Sequence, residues 1–349
     1  MFLAIKATVP NVCSASARNS PDWVSVVLEK WGAESGMRVI VIGATGAIGK
    51  PLVSQLHERG HEVIGTSRSA RNSERLRELG AQPVVLNALD LEAMRKLFAE
   101  TRPDAVIYQA TALSNLSDFK HFDRSFAETN RLRTEGTANL VAAARETGVR
   151  RIVAQSFCGN MRYERSGGPV KTEDDPIDNP PKGTHESFAA MAYLEKAVTD
   201  AGGIALRYGG FYGKPNDAFV TAVRAGKFPI VGDGAGVWSL IHVEDAAAAA
   251  IAALDHDGAA IYNIVDDEPA PCRVWLPEVA KILGAKPPPH LPVFLARLLA
   301  GEPIVIMETE SRGASNAKAK RELGWTLKYP SWRQGFAAAY GQQEAVAMQ

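Results

Sequence analysis

A glycine-rich turn is the first part of the chain whose residue types and spacing could do chemistry. The string G-A-T-G-A-I-G follows the β-branched run R-V-I-V-I and precedes a helical pattern over 47–59. Glycines in such a turn allow a tight bend, close approach of the backbone to a pyrophosphate and close helix–strand packing. The free N–H groups at the start of the helix favour a phosphate. The pattern therefore predicts a dinucleotide site formed by Gly43, Thr45, Gly46, Ala47, Ile48 and Gly49.

The residues after the second predicted strand, at 61–66, indicate which dinucleotide binds. An Asp or Glu at this place usually holds the ribose hydroxyls of NAD, whereas this chain has the string T-S-R-S at 66–69 with no acid. The guanidinium of Arg68 can form a bidentate pair with a 2′-phosphate. NADP is therefore the predicted cofactor, and NAD is the alternative if Arg68 is only a solvated surface residue.

The elements that position these residues alternate along the chain from Met37 onward. Further strands are predicted at 83–86, 104–108, 151–154 and 204–207, with helical patterns at 73–79, 91–100, 188–200 and in a long region that ends at 147. Such alternation predicts an α/β fold, a Rossmann-type doubly wound parallel sheet. We assign 37–208 with 241–265 to this NAD(P)-binding domain and 1–36 to a poorly ordered N-terminal extension.

The composition argues against several classes of protein. Thirty-nine Lys+Arg balance 39 Asp+Glu, whereas a nucleic-acid-binding protein usually carries a basic excess. No run approaches the roughly 18 apolar residues of a membrane span. The three cysteines are far apart and the seven histidines lack ligand spacing, so neither a disulfide framework nor a metal site is expected. We expect a cytoplasmic protein with a small-molecule substrate and no nucleic-acid or membrane partner.

Further strings occur in an order that is typical of one superfamily. They include P-D-A-V-I-Y-Q-A-T-A at 103–112, G-V-R-R-I-V-A-Q-S at 148–156, L-R-Y-G-G-F-Y-G at 206–213 and N-A-K-A-K-R-E-L-G-W at 316–325. From 37 to about 335 the chain resembles the extended (atypical) short-chain dehydrogenase/reductase superfamily, in its NAD-dependent epimerase/dehydratase branch. The resemblance implies that Asn87 flanks the adenine, that Gln109, Ala110 and Thr111 line the cofactor, and that Asn130 lies behind it. It also implies a smaller C-terminal substrate-binding lobe, formed by 209–240 and 266–345. A homodimer, common in this superfamily, is left open.

The catalytic pattern of that superfamily, Y-x-x-x-K, is absent at its expected place. An ungapped alignment anchored on Glu195 puts Ser187 at the tyrosine position and Met191 at the lysine position. The spacing matters because residues four apart share a helix face, where the lysine lowers the tyrosine pKa. The phenol can then exchange a proton with the substrate during hydride transfer. Any turnover would therefore use a nonstandard proton donor.

Three hydroxyls are the candidate catalytic groups that the resemblance leaves. Ser156 lies at the end of the fifth predicted strand and is also expected to touch the cofactor, although an offset of one would put Phe157 there. Tyr163 lies in the following loop, which roofs the active site in the family. Tyr193 shares a helix with Lys196, but at a spacing of three residues.

These observations leave three functions open. The leading one is an NADP-dependent oxidoreductase that acts on a small carbonyl/alcohol or sugar-nucleotide-like substrate. The second is a catalytically silent NADP-binding sensor, which the missing tyrosine and lysine favour. The third is a nucleotide-sugar epimerase or dehydratase with tightly bound NAD, which the missing acid after the second strand disfavours.

Overall fold

A computed structural model describes residues 36–113, 118–158, 162–215 and 217–341. The described residues from Met37 to Gly341 belong to one compact unit. Apart from Gly36, the predicted N-terminal extension therefore lies outside the described residues. Within the described part of the chain, no helix combines the length and apolarity that a membrane crossing requires.

A parallel sheet of seven strands forms the centre of the unit, which confirms the predicted Rossmann-type fold. The strands are β1 Arg38–Ile42, β2 Glu62–Ser67, β3 Ala81–Val85, β4 Ala105–Tyr108, β5 Arg151–Phe157, β6 Ile204–Tyr208 and β7 Ala260–Ile264. Their order in the sheet is β7-β6-β5-β4-β1-β2-β3, and every neighbouring pair is parallel. Successive residues of β1 point to opposite faces of the sheet, and helices bury both faces.

The described residues contain thirteen α-helices, and several of them cover the two faces of the sheet. Those on one face pack with Val39 and Val41 of β1, and those on the other face with Ile40 and Ile42. The helices are α1 Gly49–Glu58, α2 Ser73–Glu78, α3 Leu91–Thr101, α4 Phe122–Arg131, α5 Thr137–Thr147, α6 His185–Asp200, α7 Ala218–Arg224, α8 Val243–Ala252, α9 Cys272–Ile282, α10 Val293–Ala300, α11 Glu302–Thr309, α12 Ala317–Leu323 and α13 Trp332–Tyr340.

The long helical region predicted to end at 147 is interrupted by a π-helical turn at Leu132–Gly136. The hydroxyl of Tyr108, at the end of β4, donates to the carbonyl of Leu132 at 2.8 Å. A Cβ on Gly136 would lie 2.2 Å from the same hydroxyl. Glycine is thus the residue that leaves room for the phenol, and the sequence pattern alone did not reveal this break in the helix.

A second core, apart from the sheet, is built from later parts of the chain. The aromatic side chains of Trp275, Trp332 and Phe336 are fully buried in it. Ala319 of α12 and Trp325, in contrast, pack into the core against the sheet. Short strands complete this region, at Val170–Lys171, Gly210–Tyr212, Ile230–Val231, Val237–Trp238, Leu240–His242, Ala270–Pro271, His290–Leu291 and Gly313–Ala314.

Candidate cofactor and active site

The glycine turn after β1 packs tightly against the end of β4. Gly43 has a φ of +91°, which side-chain-bearing residues rarely adopt, and a Cβ there would lie 2.8 Å from the carbonyl group of Gln109. A Cβ on Gly49 would lie 2.3 Å from the oxygen of Gly43. Backbone crowding therefore requires glycine at both positions.

The start of α1 presents backbone donors at this turn. No side chain caps the helix at Ile48, Gly46 and Ala47 are exposed, and Thr45 is half-buried. Uncapped N–H groups at a helix N-terminus, together with the helix dipole, favour an anion. The arrangement fits the pyrophosphate of a dinucleotide.

The end of β2 presents hydroxyl and guanidinium groups. Ser67 Oγ accepts hydrogen bonds from Asn72 Nδ2 at 2.7 Å and from Ser69 N at 3.2 Å. Arg68 is exposed, and its guanidinium forms an ion pair with Glu128 of α4. Sequence reasoning had no signal for Glu128, because it lies 60 residues away.

Two buried amides flank the ends of β4 and α4. Gln109 donates through Nε2 to the hydroxyl of Tyr208 at 3.3 Å, and Asn130 donates through Nδ2 to Ser187 Oγ at 3.0 Å. Among the described residues, the other amide atoms, Gln109 Oε1 and Asn130 Oδ1, are buried and have no hydrogen-bond partner. Buried acceptors without donors are uncommon in folded proteins, so both oxygens fit a ligand that brings donors.

The other predicted cofactor contacts lie on either side of these amides. Ala110 and Thr111 are half-buried directly after β4. Asn87, directly after the predicted third strand, is exposed, and its Oδ1 accepts a hydrogen bond from Leu89 N at 3.1 Å.

The positions expected for the catalytic tyrosine and lysine lie inside the protein. Ser187 is fully buried, and its Oγ donates to Asp123 Oδ1 at 2.8 Å. The same carboxylate accepts hydrogen bonds from the backbone N–H groups of Glu186 and Ser187 at the start of α6. Ser187 thus joins α4 to α6, and sequence reasoning missed Asp123, its partner.

Met191 belongs to a group of apolar side chains that we call the aromatic cluster. Phe122 and Phe126 stack there with ring centroids 4.2 Å apart. Phe157, at the end of β5, is half-buried, as is Met307 of α11. The cluster therefore connects the end of the sheet with a later helix, and it consists of Phe119, Phe122, Phe126, Phe157, Phe188, Met191, Ile306 and Met307.

Ser156 belongs to a buried charged group. Its Oγ donates to Glu195 Oε1 at 2.6 Å. Arg162 and Arg207 each form two hydrogen bonds to the same carboxylate, at 2.5 to 2.9 Å. Burial alone would raise the pKa of Glu195, but the two guanidinium groups lower it to about 2. The hydroxyl of Ser156 is thus engaged with an ionised carboxylate.

The two candidate tyrosines lie in different surroundings. Tyr163 is buried, and its hydroxyl donates to Asn263 Oδ1 at 2.6 Å and accepts from Arg207 at 3.2 Å. Burial raises the pKa of this phenol to about 12. Tyr193 is 44% exposed, and the Lys196 ammonium pairs with Asp200 instead. The structure therefore brings Tyr163 to the same charged group as Ser156, and it leaves Tyr193 on the surface.

Comparisons with known proteins agree with this architecture. The model of the NAD dependent epimerase/dehydratase family matches residues 39–265. A 3-diazoavenalumate denitrifying reductase from a Streptomyces species is 44% identical over 309 residues, which cover 86% of this chain and 99% of that protein.

Two solved structures share the fold. The UDP-glucose 4-epimerase of Thermus thermophilus, in complex with NAD, has a TM-score of 0.69 at 25% identity and covers 87% of this chain and 98% of its own. A human epimerase family protein with NADPH has a TM-score of 0.70 at 20% identity and covers 88% of this chain and 100% of its own. The family match and the Thermus structure support a nicotinamide dinucleotide as the cofactor.

Proposed function

Because the chain belongs to the NAD-dependent epimerase/dehydratase family, we propose that it is an NADP-dependent reductase whose hydride acceptor is an aromatic diazo compound in its diazonium form. The carrying observation is that Ser187 and Met191, at the positions of the proton-donating pair, are buried in structural contacts. A reduction that needs no proton from the protein suits such a site.

The chain's own residues would hold the cofactor at both ends. The glycine turn and the start of α1 would bind the pyrophosphate, since no side chain of the described residues caps this helix start and Gly46 and Ala47 are exposed. Arg68 would pair with the 2′-phosphate, which favours NADP. Gln109 Oε1 and Asn130 Oδ1, which have no hydrogen-bond partner among the described residues, would accept hydrogen bonds from the half of the dinucleotide that lies above the end of β4.

The proton balance separates a diazonium acceptor from a carbonyl acceptor. The bound nicotinamide would supply a hydride. An arenediazonium ion that accepts a hydride at its terminal nitrogen can lose N₂. The C–N bond breaks, its electron pair stays on the ring carbon, and this pair forms the new C–H bond with the transferred hydrogen. The sum is one arene and one N₂ per hydride, without any further proton. A ketone, in contrast, needs a proton on its oxygen as well as the hydride.

The aromatic cluster supports an aryl substrate. Phe126, Phe157 and Met307 are only partly buried, and they could stack on a ring that lies above the end of β5. We assign the region at 209–240 and 266–345, which includes Met307, to substrate binding. The Streptomyces relative is named as a denitrifying reductase of a diazo compound, which supports the same chemistry.

The test uses purified protein, NADPH and 4-carboxybenzenediazonium labelled with heavy nitrogen. We expect one NADPH consumed per labelled N₂ released and per benzoate formed, at a rate well above that without protein. The reaction without protein measures the uncatalysed reduction, and a Gly49→Ala variant, whose glycine turn is obstructed, should need a higher NADPH concentration for the same rate. A rate equal to that without protein would contradict the proposal.

A carbonyl compound is the second candidate substrate. The observation in its favour is that Ser156 keeps a hydroxyl at the end of β5, while Tyr163 joins the same charged group through Arg207. Turnover on a panel of ketones, lost by about 100-fold or more in Tyr163→Phe, would favour this function. Cofactor binding without turnover on either panel would favour the sensor.

A further inference from the structure

The ion pair between Arg68 and Glu128 connects two separate parts of the fold. Arg68 directly follows β2, and Glu128 lies on α4, which follows β4. Both side chains are more than half exposed, at 59% and 53%. An exposed pair of this kind contributes little to stability, so a new ligand could replace one partner at low cost.

The position of α4 places this pair over the cofactor turn. Strand β1 lies between β2 and β4 in the sheet, so a contact from the end of β2 to α4 crosses the line of β1. The run of α4, the π turn and α5 has ten, five and eleven residues, which is roughly 39 Å of helix. Strand β4, with four residues, spans only about 13 Å. The first part of the helix therefore extends beyond the strand ends, where the glycine turn begins.

The other groups around Arg68 are donors and hydroxyls. Ser67 Oγ accepts from Asn72, and Ser69 Oγ accepts from the backbone N–H and the Nε of Arg71 at 3.4 Å each. Two guanidinium groups and two hydroxyls thus lie at the end of β2. Glu128 is the carboxylate that the described residues place against them, and a carboxylate at this place opposes a dianionic phosphate.

We propose that Glu128 moderates the preference for NADP over NAD, because it is the counter-ion that Arg68 exchanges for a 2′-phosphate. Binding of NADPH breaks the Arg68–Glu128 pair and brings the phosphate close to the carboxylate, whereas binding of NADH leaves the pair intact. Glu128 therefore lowers the affinity for NADPH and moderates the preference that Arg68 creates. This inference rests on the NADP preference in the proposed function.

The test is a double-mutant cycle on dinucleotide affinity. Fluorescence titration gives Kd values for NADPH and NADH with the full-length protein and with Glu128→Gln, Arg68→Gln and the double variant. We expect NADPH to bind about three- to fivefold more tightly to Glu128→Gln, the size expected from an exposed ion pair, and NADH to bind unchanged. Arg68→Gln should weaken NADPH about tenfold or more, and adding Glu128→Gln to it should then have little effect.

The control variant is Glu135→Gln, which removes another exposed carboxylate that pairs with an arginine, Arg131. It should leave both affinities unchanged. Equal shifts of NADPH and NADH in Glu128→Gln, or no shift, would overturn the role of Glu128 while leaving the NADP preference intact. A wild-type protein that binds NADH more tightly than NADPH would overturn the NADP preference itself. Circular dichroism checks that each variant is folded.

Discussion

Ser187 Oγ lies 2.8 Å from Asp123 Oδ1, a bond that joins α6 to α4 at the position where the superfamily pattern has its tyrosine. Asn130 donates to the same serine oxygen from the other side. The hydroxyl of this buried serine therefore donates to one partner and accepts from another within the protein. The helix face that delivers protons in related patterns here connects two helices.

Replacing Ser187 by alanine tests this structural role. Asn130 Nδ2 would lose its acceptor, and we expect the free energy of unfolding to fall by about 1–2 kcal/mol. Reduction of the diazonium substrate should change by less than about threefold, whereas losing a proton donor costs about 100-fold or more. Urea denaturation and steady-state rates measure both, with Ser54→Ala on α1 as the control. A 100-fold lower rate in a folded variant would make Ser187 catalytic.

The carboxylate of Glu195 should matter more for stability than any surface acid. In Glu195→Gln two buried guanidinium groups lose their counter-ion, so we expect a loss of about 3–5 kcal/mol. Glu186→Gln, exposed on the same helix, is the control. A loss comparable to that control would contradict the ion cluster seen here.

The pH dependence of Glu195 follows from its lowered pKa. A carboxylate with a folded-state pKa of about 2 and an unfolded-state pKa near the ordinary value of about 4.3 binds fewer protons when folded. Its stabilisation is therefore complete above the unfolded value and is lost as the pH falls toward 2. The difference in unfolding free energy between wild type and Glu195→Gln should shrink over that range.

Gly49→Ala should obstruct the cofactor turn. The new Cβ would lie 2.3 Å from the oxygen of Gly43 and 2.6 Å from the carbonyl carbon of Ala44, so the backbone must shift. We expect a loss of about 1–3 kcal/mol in stability and about tenfold or more in NADPH affinity, equivalent to about 1.4 kcal/mol. Gly168→Ala, whose Cβ would meet nothing closer than 4.0 Å, should leave both unchanged. Unaltered NADPH binding in Gly49→Ala would move the pyrophosphate site elsewhere.

Glu308, buried in α11, should make the protein less stable as the pH rises. Burial raises its pKa to about 7, so the folded state binds more protons than the unfolded state between about pH 4.3 and 7. Stability falls as the pH rises through this range, by up to about 4 kcal/mol. Glu308→Gln should remove this loss and be more stable than wild type at pH 8 but not at pH 4. Thermal melts at both pH values measure this, with Glu100→Gln, at an exposed position, as the control. An equal stability difference between Glu308→Gln and wild type at pH 4 and pH 8 would contradict the prediction.

Phe157→Leu tests the aromatic cluster as the substrate site. Loss of the ring at the end of β5 should lower kcat/KM for the aryl substrate by about tenfold, while the Kd of NADPH stays the same. The matched control is Phe294→Leu, because Phe294 lies on α10 and is 71% exposed. Unchanged kcat/KM in Phe157→Leu would place the aryl group elsewhere.

Much of the fold could be predicted because its signals are local. The β-branched run of β1 and the alternation of strand and helix patterns can be read from residues close together in the sequence. The glycine turn can be read in the same way, because only glycine satisfies the steric limits at Gly43 and Gly49. The boundaries were less accurate: β5 runs to Phe157, three residues past the predicted end, because it continues to pair with β6 as far as Tyr208.

The sequence by itself determined the Rossmann-type sheet, the glycine turn and the absence of a Y-x-x-x-K pair on α6. Tertiary structure decided the partners of the polar residues: Asp123 for Ser187, Glu128 for Arg68, and Glu195 for two arginines. These partners come from 12 to 64 residues away, so no spacing rule connects them. Strand register and helix packing bring the groups together, and burial makes each of them require a hydrogen-bond partner.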